Sequence, residues 1–417
     1  MAEIKKASGI IDWLDQRLAV KTLTKVLMTE YWIPKNINFL WAMGVVLVVL
    51  FMLLIVSGIF LLMYYKPDIN LAFDSVNYTI MQEVEYGWLW RHMHGVAASV
   101  IFLVIYIHMF VGIYYGSYKK GREIIWLTGM ALFGLFSAEA FSGYMLPWGQ
   151  MSYWAAQVIT NLFGGIPVIG EALVIWIRGD YLVADATLTR FFMLHVLLLP
   201  LLIIVLIAVH FYSLRIPHVN NQDSEEFDFD KEAKKYLEGR TKESKVVPFW
   251  PVFLSKDFFV VGVALTGFFF LVCYHFNFAM DPINFEPANN MKTPAHIYPE
   301  WYFLWSYEVL RGFFFDIAGI SAMNIGLAAF GFANVIFMVF PFLDRNPNHV
   351  APAHKRPLFK YWFWVLVLDM IVLTVYGKLP PTGNNAWVGF YAAIVFILLF
   401  VLLPIITKLE AKSGGEK

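Results

Sequence analysis

The chain has 417 residues, of which 59% are hydrophobic and only 15% charged, with 31 basic and 31 acidic side chains and no net charge. A soluble domain carries about 25% charged residues, so a water-soluble globular enzyme is excluded. The neutral balance also leaves no basic surface for nucleic acid.

In chain order, residues 1–35 mix charge with short apolar runs, lack a signal-peptide cleavage pattern, and read as a surface helix. Eight windows then run near or beyond the length that crosses a ~30 Å hydrocarbon core: 36–64, 88–115, 124–145, 188–214, 257–277, 318–343, 361–377 and 386–407. They predict an all-α polytopic membrane protein of eight transmembrane helices; a β-barrel would show ~10-residue alternating segments instead. Placing the amino terminus inside puts 24 of the 31 Lys and Arg on inner segments, so both termini are expected on the inner side. The chain divides into 1–215, a charged inner connection 216–256, and 257–417. Two outer connections are long: 146–187, expected to hold surface hairpin helices, and 278–317, which contains PEWYFLW. The inner insertion at 216–250 reads as a solvated partner or stalk surface. Cys273, alone in its type, reads as a packing residue, and no internal disulfide is possible.

The second and fourth windows carry histidines in register. His94 and His108 are 14 residues apart, about 40° around a helix and roughly 21 Å along it. His195 and His210 are 15 apart, within about 60° and roughly 22 Å. Both windows run outside to inside, so the four rings form two pairs at two depths. An intramembrane histidine alone is a hydrogen-bonded core group or a proton relay. Two matched pairs on facing helices instead suit two six-coordinate haem irons in a four-helix bundle. His92 lies about 160° from His108 and is left out. No C-x-x-C-H exists to tether a haem covalently.

Gly44 and Gly58 in the first window, and Gly129 and Gly143 in the third, repeat the 14-residue spacing. Glycine lets a helix backbone approach a flat macrocycle, although it also serves simple helix packing. Arg91 and Arg190 precede the outer histidines and either pair with haem propionates or snorkel to the boundary.

With YGWLWRHMHG at 86–95, GYMLPWGQMSYW at 143–154, TRFFMLH at 189–195, PFWPVFLSKD at 248–257 and PEWYF at 299–303, the chain resembles the cytochrome b subunit of bacterial quinol:cytochrome c oxidoreductase, respiratory complex III. The resemblance implies two non-covalent b haems, low-potential outside and high-potential inside. It implies quinol oxidation at the outer face, with one electron passing to a Rieske iron–sulfur protein and on to a c-type cytochrome, and the other through the outer and inner haems to reduce quinone near the inner face. A homodimeric complex in the bacterial inner membrane follows from the same resemblance. Glu300 and Tyr302 fall in the outer quinol site, with Phe141, Tyr144, Pro299 and Tyr307, and Ala155 of the neighbouring motif; Trp41 joins the cofactor-binding set. A loop carboxylate such as Glu300 can act as a base or merely cap a helix start. Asp257 falls in the inner site, as a proton donor or an interfacial acid.

Four departures from the family pattern stand out. The mitochondrial form spaces the second histidine pair by 14, although the photosynthetic relatives share the longer spacing. Arg215 stands where the mitochondrial form has a quinone-binding histidine. Ala155 replaces the usual glycine, and Glu139 lies inside the third window, either functional or a protonated packing group. Two other classes compete: a di-haem dehydrogenase anchor, which lacks PEWYF, and a histidine-dependent transporter, which would show repeat symmetry. The extra methyl of Ala155 predicts weak binding of methoxyacrylate-type inhibitors; tight stoichiometric inhibition of turnover would contradict it.

Overall fold

The computed structural model describes residues 9–19, 21, 24, 28, 30–278, 280–347 and 351–413. Seven helices among them are long and apolar enough to cross a bilayer: Phe39–Leu62, Gly87–Tyr114, Glu123–Met145, Asp185–Arg215, Phe249–Tyr274, Phe359–Lys378 and Asn384–Lys412. They are numbered first to seventh in chain order. A nine-residue helix, Ile10–Leu18, lies at the amino-terminal end, with Ile10 and Trp13 exposed.

The window expected as one continuous helix at 318–343 is broken. It folds as Ala322–Ile336, a turn, and Phe340–Leu343. Pro341 explains the break, because it has no N–H to give the preceding turn. The Phe337 carbonyl, four residues earlier, instead accepts the Trp126 indole N–H at 2.6 Å.

The fourth long helix contains a π-helical stretch, Leu194–Leu198, in which the Leu199 N–H reaches back to the Leu194 carbonyl. Pro200 follows immediately. A π-bulge absorbs one extra residue within a helix. The 15-residue interval from His195 to His210 therefore presents its rings much as 14 residues of regular helix would. The larger offset expected from regular α geometry is removed here.

The first long helix packs on the second, the third on the fourth, and the fifth on the second. Val261, Phe268 and Val272 of the fifth share one core with Val96, Phe102 and Phe136 of the second and third. A second core joins the last two long helices to Ala322–Ile336 and to the adjoining ends of the second and third, through Ile113 and Trp126.

Connections gather at two opposite ends. At one, the Trp41 indole donates to the Asn220 carbonyl at 3.0 Å, Arg122 donates to the Pro217 and His218 carbonyls at 3.0 and 3.1 Å, and Lys119 meets Asp344 at 2.8 Å. At the other, the Tyr65 hydroxyl donates to the Leu146 carbonyl and the Gln150 N–H to the Glu286 carbonyl, both at 2.8 Å. The outer connection 146–187 holds the helices Gln150–Leu162 and Gly170–Arg178. Arg178 ties them together by donating to Thr160 and Asn161 at 2.9 and 3.0 Å.

The charged inner connection is more ordered than its composition implies. Trp32–Pro34 pairs antiparallel with Val246–Pro248, a two-stranded sheet in an otherwise helical chain. Helix Phe229–Leu237 is capped by Asp228 and buries Glu232, which accepts the Lys245 N–H at 2.8 Å.

A buried ion network closes the same end. Arg356, 1% exposed, donates to Asp344 at 2.8 and 3.1 Å and to Glu410 at 2.9 Å. The Tyr118 hydroxyl and Lys119 also reach Asp344. The cations hold the Asp344 carboxyl below its usual range despite burial. Arg356→Ala removes the cation shared by Asp344 and Glu410 and is expected to cost about 3–5 kcal/mol. Thermal unfolding of purified protein in detergent should show a clear drop in midpoint; an unchanged midpoint would contradict this role.

Candidate functional site

The structure brings the four histidines together as two pairs. The His94 and His195 ring centres are 6.1 Å apart, and those of His108 and His210 are 6.5 Å apart. Two metal–imidazole bonds of about 2.0–2.1 Å, each extended by roughly 1.1 Å from nitrogen to ring centre, predict a separation of about 6.2 Å. Both pairs therefore stand at the distance of one shared metal ion. Among the described residues no three His, Cys, Asp or Glu side chains converge. The remaining donors would have to come from a planar ligand such as a porphyrin, so the residues fit a haem and do not fit a bare ion.

Each glycine of the 14-residue repeat faces one of these rings. A Cβ on Gly44 would lie 3.7 Å from His108 Cε1, on Gly58 3.3 Å from His94 Cε1, and on Gly129 3.2 Å from His210 Cε1. On Gly143 it would lie 2.9 Å from His195 Nδ1 and 3.0 Å from Nε2. The glycines stand at the depths read from the sequence, but their neighbour is the imidazole edge. The first long helix makes room for the imidazoles of the second, and the third for those of the fourth.

The other nitrogen of three rings is held. Ser57 Oγ lies 3.0 Å from His94 Nδ1, Thr128 Oγ1 lies 2.9 Å from His210 Nδ1, and the Glu139 carbonyl lies 3.0 Å from His195 Nδ1. A partner on the second ring nitrogen is typical of metal-bound histidine. Sequence reasoning missed Ser57 and Thr128; the signal was a hydroxyl residue directly before Gly58 and before Gly129.

A cavity of about 430 Å³ runs from His94 and His195 to Glu300 and Tyr302, with Arg91, Tyr144 and Asp281 also on its wall. The PEWYF segment reaches it because it docks on one stripe of the second long helix. The Trp301 indole donates to Ser99 at 2.8 Å, Tyr302 stacks on Phe102 at 4.0 Å, and the Tyr106 hydroxyl donates to the Tyr302 carbonyl at 2.5 Å. Burial pushes the Glu300 carboxyl up to about 8, against a hydrogen bond with Tyr144 that pulls it down. Glu300 follows Pro299 and stands at the start of the turn Trp301–Phe303, with no cap hydrogen bond from its side chain. Asp281, not singled out by sequence reasoning, accepts the Ile283 N–H at 2.9 Å and turns its other oxygen, buried, toward this region.

Other expected residues stand back from the cavity. Arg190 is bound to the Trp176 carbonyl and does not line it, unlike Arg91. Tyr307 donates to the Ile297 carbonyl at 3.0 Å and so holds the loop. Phe141 packs edge-on against Phe191 at 5.5 Å, and Ala155 is buried in Gln150–Leu162. Glu139 places Oε1 at 3.1 Å from His195 Nδ1, which locates it beside the outer pair.

A second cavity of about 310 Å³ lies at the opposite end, lined by Asn38, Lys256 and Asp257. Asp257 is 2% exposed, at the start of the fifth long helix. Arg215 does not line this cavity; its guanidinium lies over the Tyr31 ring at 3.7 Å. The Trp41 ring lies 4.5 Å from that of Tyr115, tilted by 48°. Asn38, also missed, accepts the Leu40 N–H and starts the first long helix.

Residues 28–217 match the family model Cytochrome b/b6/petB, and residues 287–413 match Cytochrome b(C-terminal)/b6/petD. The chain belongs to the cytochrome b family. It is 41% identical to cytochrome b of Rhodobacter capsulatus, over 97% of this chain and 92% of that one. It is 39% identical to cytochrome b of Rickettsia typhi, over 97% and 96% respectively. A solved hyperthermophilic respiratory complex III contains a chain 38% identical, with a TM-score of 0.87, covering 97% of this chain and 100% of that one. Cytochrome b of respiratory complex III is a membrane protein of electron transport, and haem and quinone follow from the family.

The one-to-one fit of glycine and imidazole gives a graded expectation. Gly143→Ala, where the added methyl meets the ring closely, should lose most of the outer haem. Gly44→Ala, where the contact is an ordinary 3.7 Å, should retain both. Reduced-minus-oxidised spectra of membranes, scaled per chain, distinguish the two; equal spectra would contradict the fit.

Proposed function

We propose that this chain carries electrons across the bilayer between two quinone sites, through two b haems held by His94 with His195 and by His108 with His210. The observation that carries the reading is the pair of ring separations, 6.1 and 6.5 Å, at two depths on the same two helices. The first four long helices form the di-haem bundle. Ala322–Ile336 with Phe340–Leu343 supplies an eighth crossing, since residues 322–343 reach roughly 33 Å at 1.5 Å per residue. The Lys and Arg distribution favours both termini inside, in a bacterial inner membrane.

Bound between the paired imidazoles, haem supplies one-electron carriage. The chain does the rest. Glycines seat the imidazoles, and Arg91 on the outer cavity wall is placed to meet a propionate. Glu300 takes a proton from quinol at the outer cavity, with Tyr144 and Tyr302 beside it. A carboxyl near 8 is well matched to that task, because a base works best when its pKa lies near the working pH. One electron passes inward along the histidine pairs. The other leaves to a Rieske iron–sulfur protein and on to a c-type cytochrome subunit. At the inner cavity Asp257 and Lys256 supply proton and charge to quinone, and Arg215 stands behind Tyr31 as a fixed cation. The working unit is a homodimer of the complex. Asp281, facing the same cavity as Glu300, raises the Glu300 carboxyl by like charge.

Two measurements test this reading. The purified complex should show two b-type haems per chain and reduce cytochrome c with quinol. Quinol oxidation should rise with pH as Glu300 ionises near 8, and Glu300→Gln should lower the rate by about a hundredfold and flatten that limb. An unaltered pH profile in the variant would exclude Glu300 as the base.

A further inference from the structure

The four histidines are seated alike at their edges but not at Nδ1. Ser57 donates its only hydroxyl proton to the Leu53 carbonyl at 2.6 Å. Its oxygen can then only accept, so His94 must be the donor across the 3.0 Å contact. Thr128 repeats this: it donates to the Ile124 carbonyl at 2.8 Å and accepts from His210 at 2.9 Å. A carbonyl stands beside each hydroxyl as a second acceptor, Leu54 for His94 and Ile125 for His210. His195 meets the Glu139 carbonyl at 3.0 Å and the Ser142 hydroxyl at 3.5 Å.

The three cases share one register. The hydroxyl belongs to the residue immediately before the glycine, and the carbonyl to the residue four before it: Ser57 and Leu54 for Gly58, Thr128 and Ile125 for Gly129, Ser142 and Glu139 for Gly143. A missing Cβ opens the helix groove, and the imidazole edge enters far enough to reach both acceptors. The fourth position breaks the pattern. Met43 precedes Gly44 and has no hydroxyl, and Leu40 lies in the 3-10 turn Phe39–Ala42, where its carbonyl accepts the Met43 N–H. Among the described residues no backbone or side-chain acceptor stands at His108, where the other three imidazoles each meet a carbonyl.

We infer that Ser57, Thr128 and Ser142 are positioning residues that tune the two redox sites apart, and that Met43 marks His108 as the one ligand left without an anchor. This rests on the haem reading above. An acceptor on the Nδ1 proton fixes the tautomer and makes the ligand more basic. A more basic ligand favours oxidised iron and lowers the potential. The outer pair is anchored on both sides and the inner pair on one. The difference biases electrons from the outer site toward the inner, which is the direction that crosses the bilayer.

The test is an optical redox titration of both haems in membranes containing the intact complex. Ser57→Ala should raise the outer potential alone and Thr128→Val the inner alone, each by about a three- to tenfold change in the oxidised-to-reduced ratio at fixed potential, the size of one hydrogen bond. Met43→Thr, which adds the missing hydroxyl, should lower the inner potential by a similar factor. Ser57→Thr and Thr128→Ser keep the hydroxyl and should leave both potentials in place. Variants that hold both haems with unmoved potentials, or that move both sites equally, overturn the inference while the haem reading stands. A parent chain without two b-type bands overturns the haem reading, and the inference falls with it.

Discussion

An imidazole edge set against a glycine on the neighbouring helix is the contact on which the rest of this structure depends. It fixes how closely the first helix packs on the second and the third on the fourth. It also fixes the depth of each ring, because the glycine and the histidine must meet at one level. With both pairs set, the helices are locked at two heights about 21 Å apart, by the 1.5 Å helical rise. A hydrophobic core alone would not impose this, since lipid and side chains are equally apolar and helices in a membrane gain little from simple burial.

The outer site is built on the same helix that carries His94. Ser99, Phe102 and Tyr106 lie on one stripe and receive Trp301 and Tyr302. The loop acid Glu300 thus comes to the cavity that the histidines open. One volume is thus lined by Glu300 on one side and by His94 and His195 on the other. The inner cavity shares this economy: Asn38 begins the helix that supplies Gly44, and Asp257 begins the helix that packs against His94's neighbours.

Two prolines explain where regular helix gives way. Pro341 interrupts the window at 318–343, and the carbonyl it frees is taken by Trp126, which ties the carboxy-terminal helices to the third long helix. Pro200 lies next to the π stretch Leu194–Leu198, which restores the register of His195 with His210. At Pro341 the carbonyl left over finds a new partner in the Trp126 indole, as hydrocarbon surroundings require.

The sequence by itself determined the helical class, the positions of seven long helices, the two histidine pairs with their glycines, and the segments that carry Glu300 and Asp257. These are legible because helix period, hydrophobic length and residue type are local properties of the chain. Only the tertiary structure decided that the glycines face imidazoles, that Arg91 reaches the cavity while Arg190 is taken by the Trp176 carbonyl, that Arg215 turns to Tyr31, and that Asn38 and Asp281 join the sites. It also showed a small sheet, Trp32–Pro34 with Val246–Pro248, in a segment whose charge suggested only solvent. Side-chain partners on different helices leave no periodic trace in the chain; they are set by which helix lies beside which, and that is a property of packing.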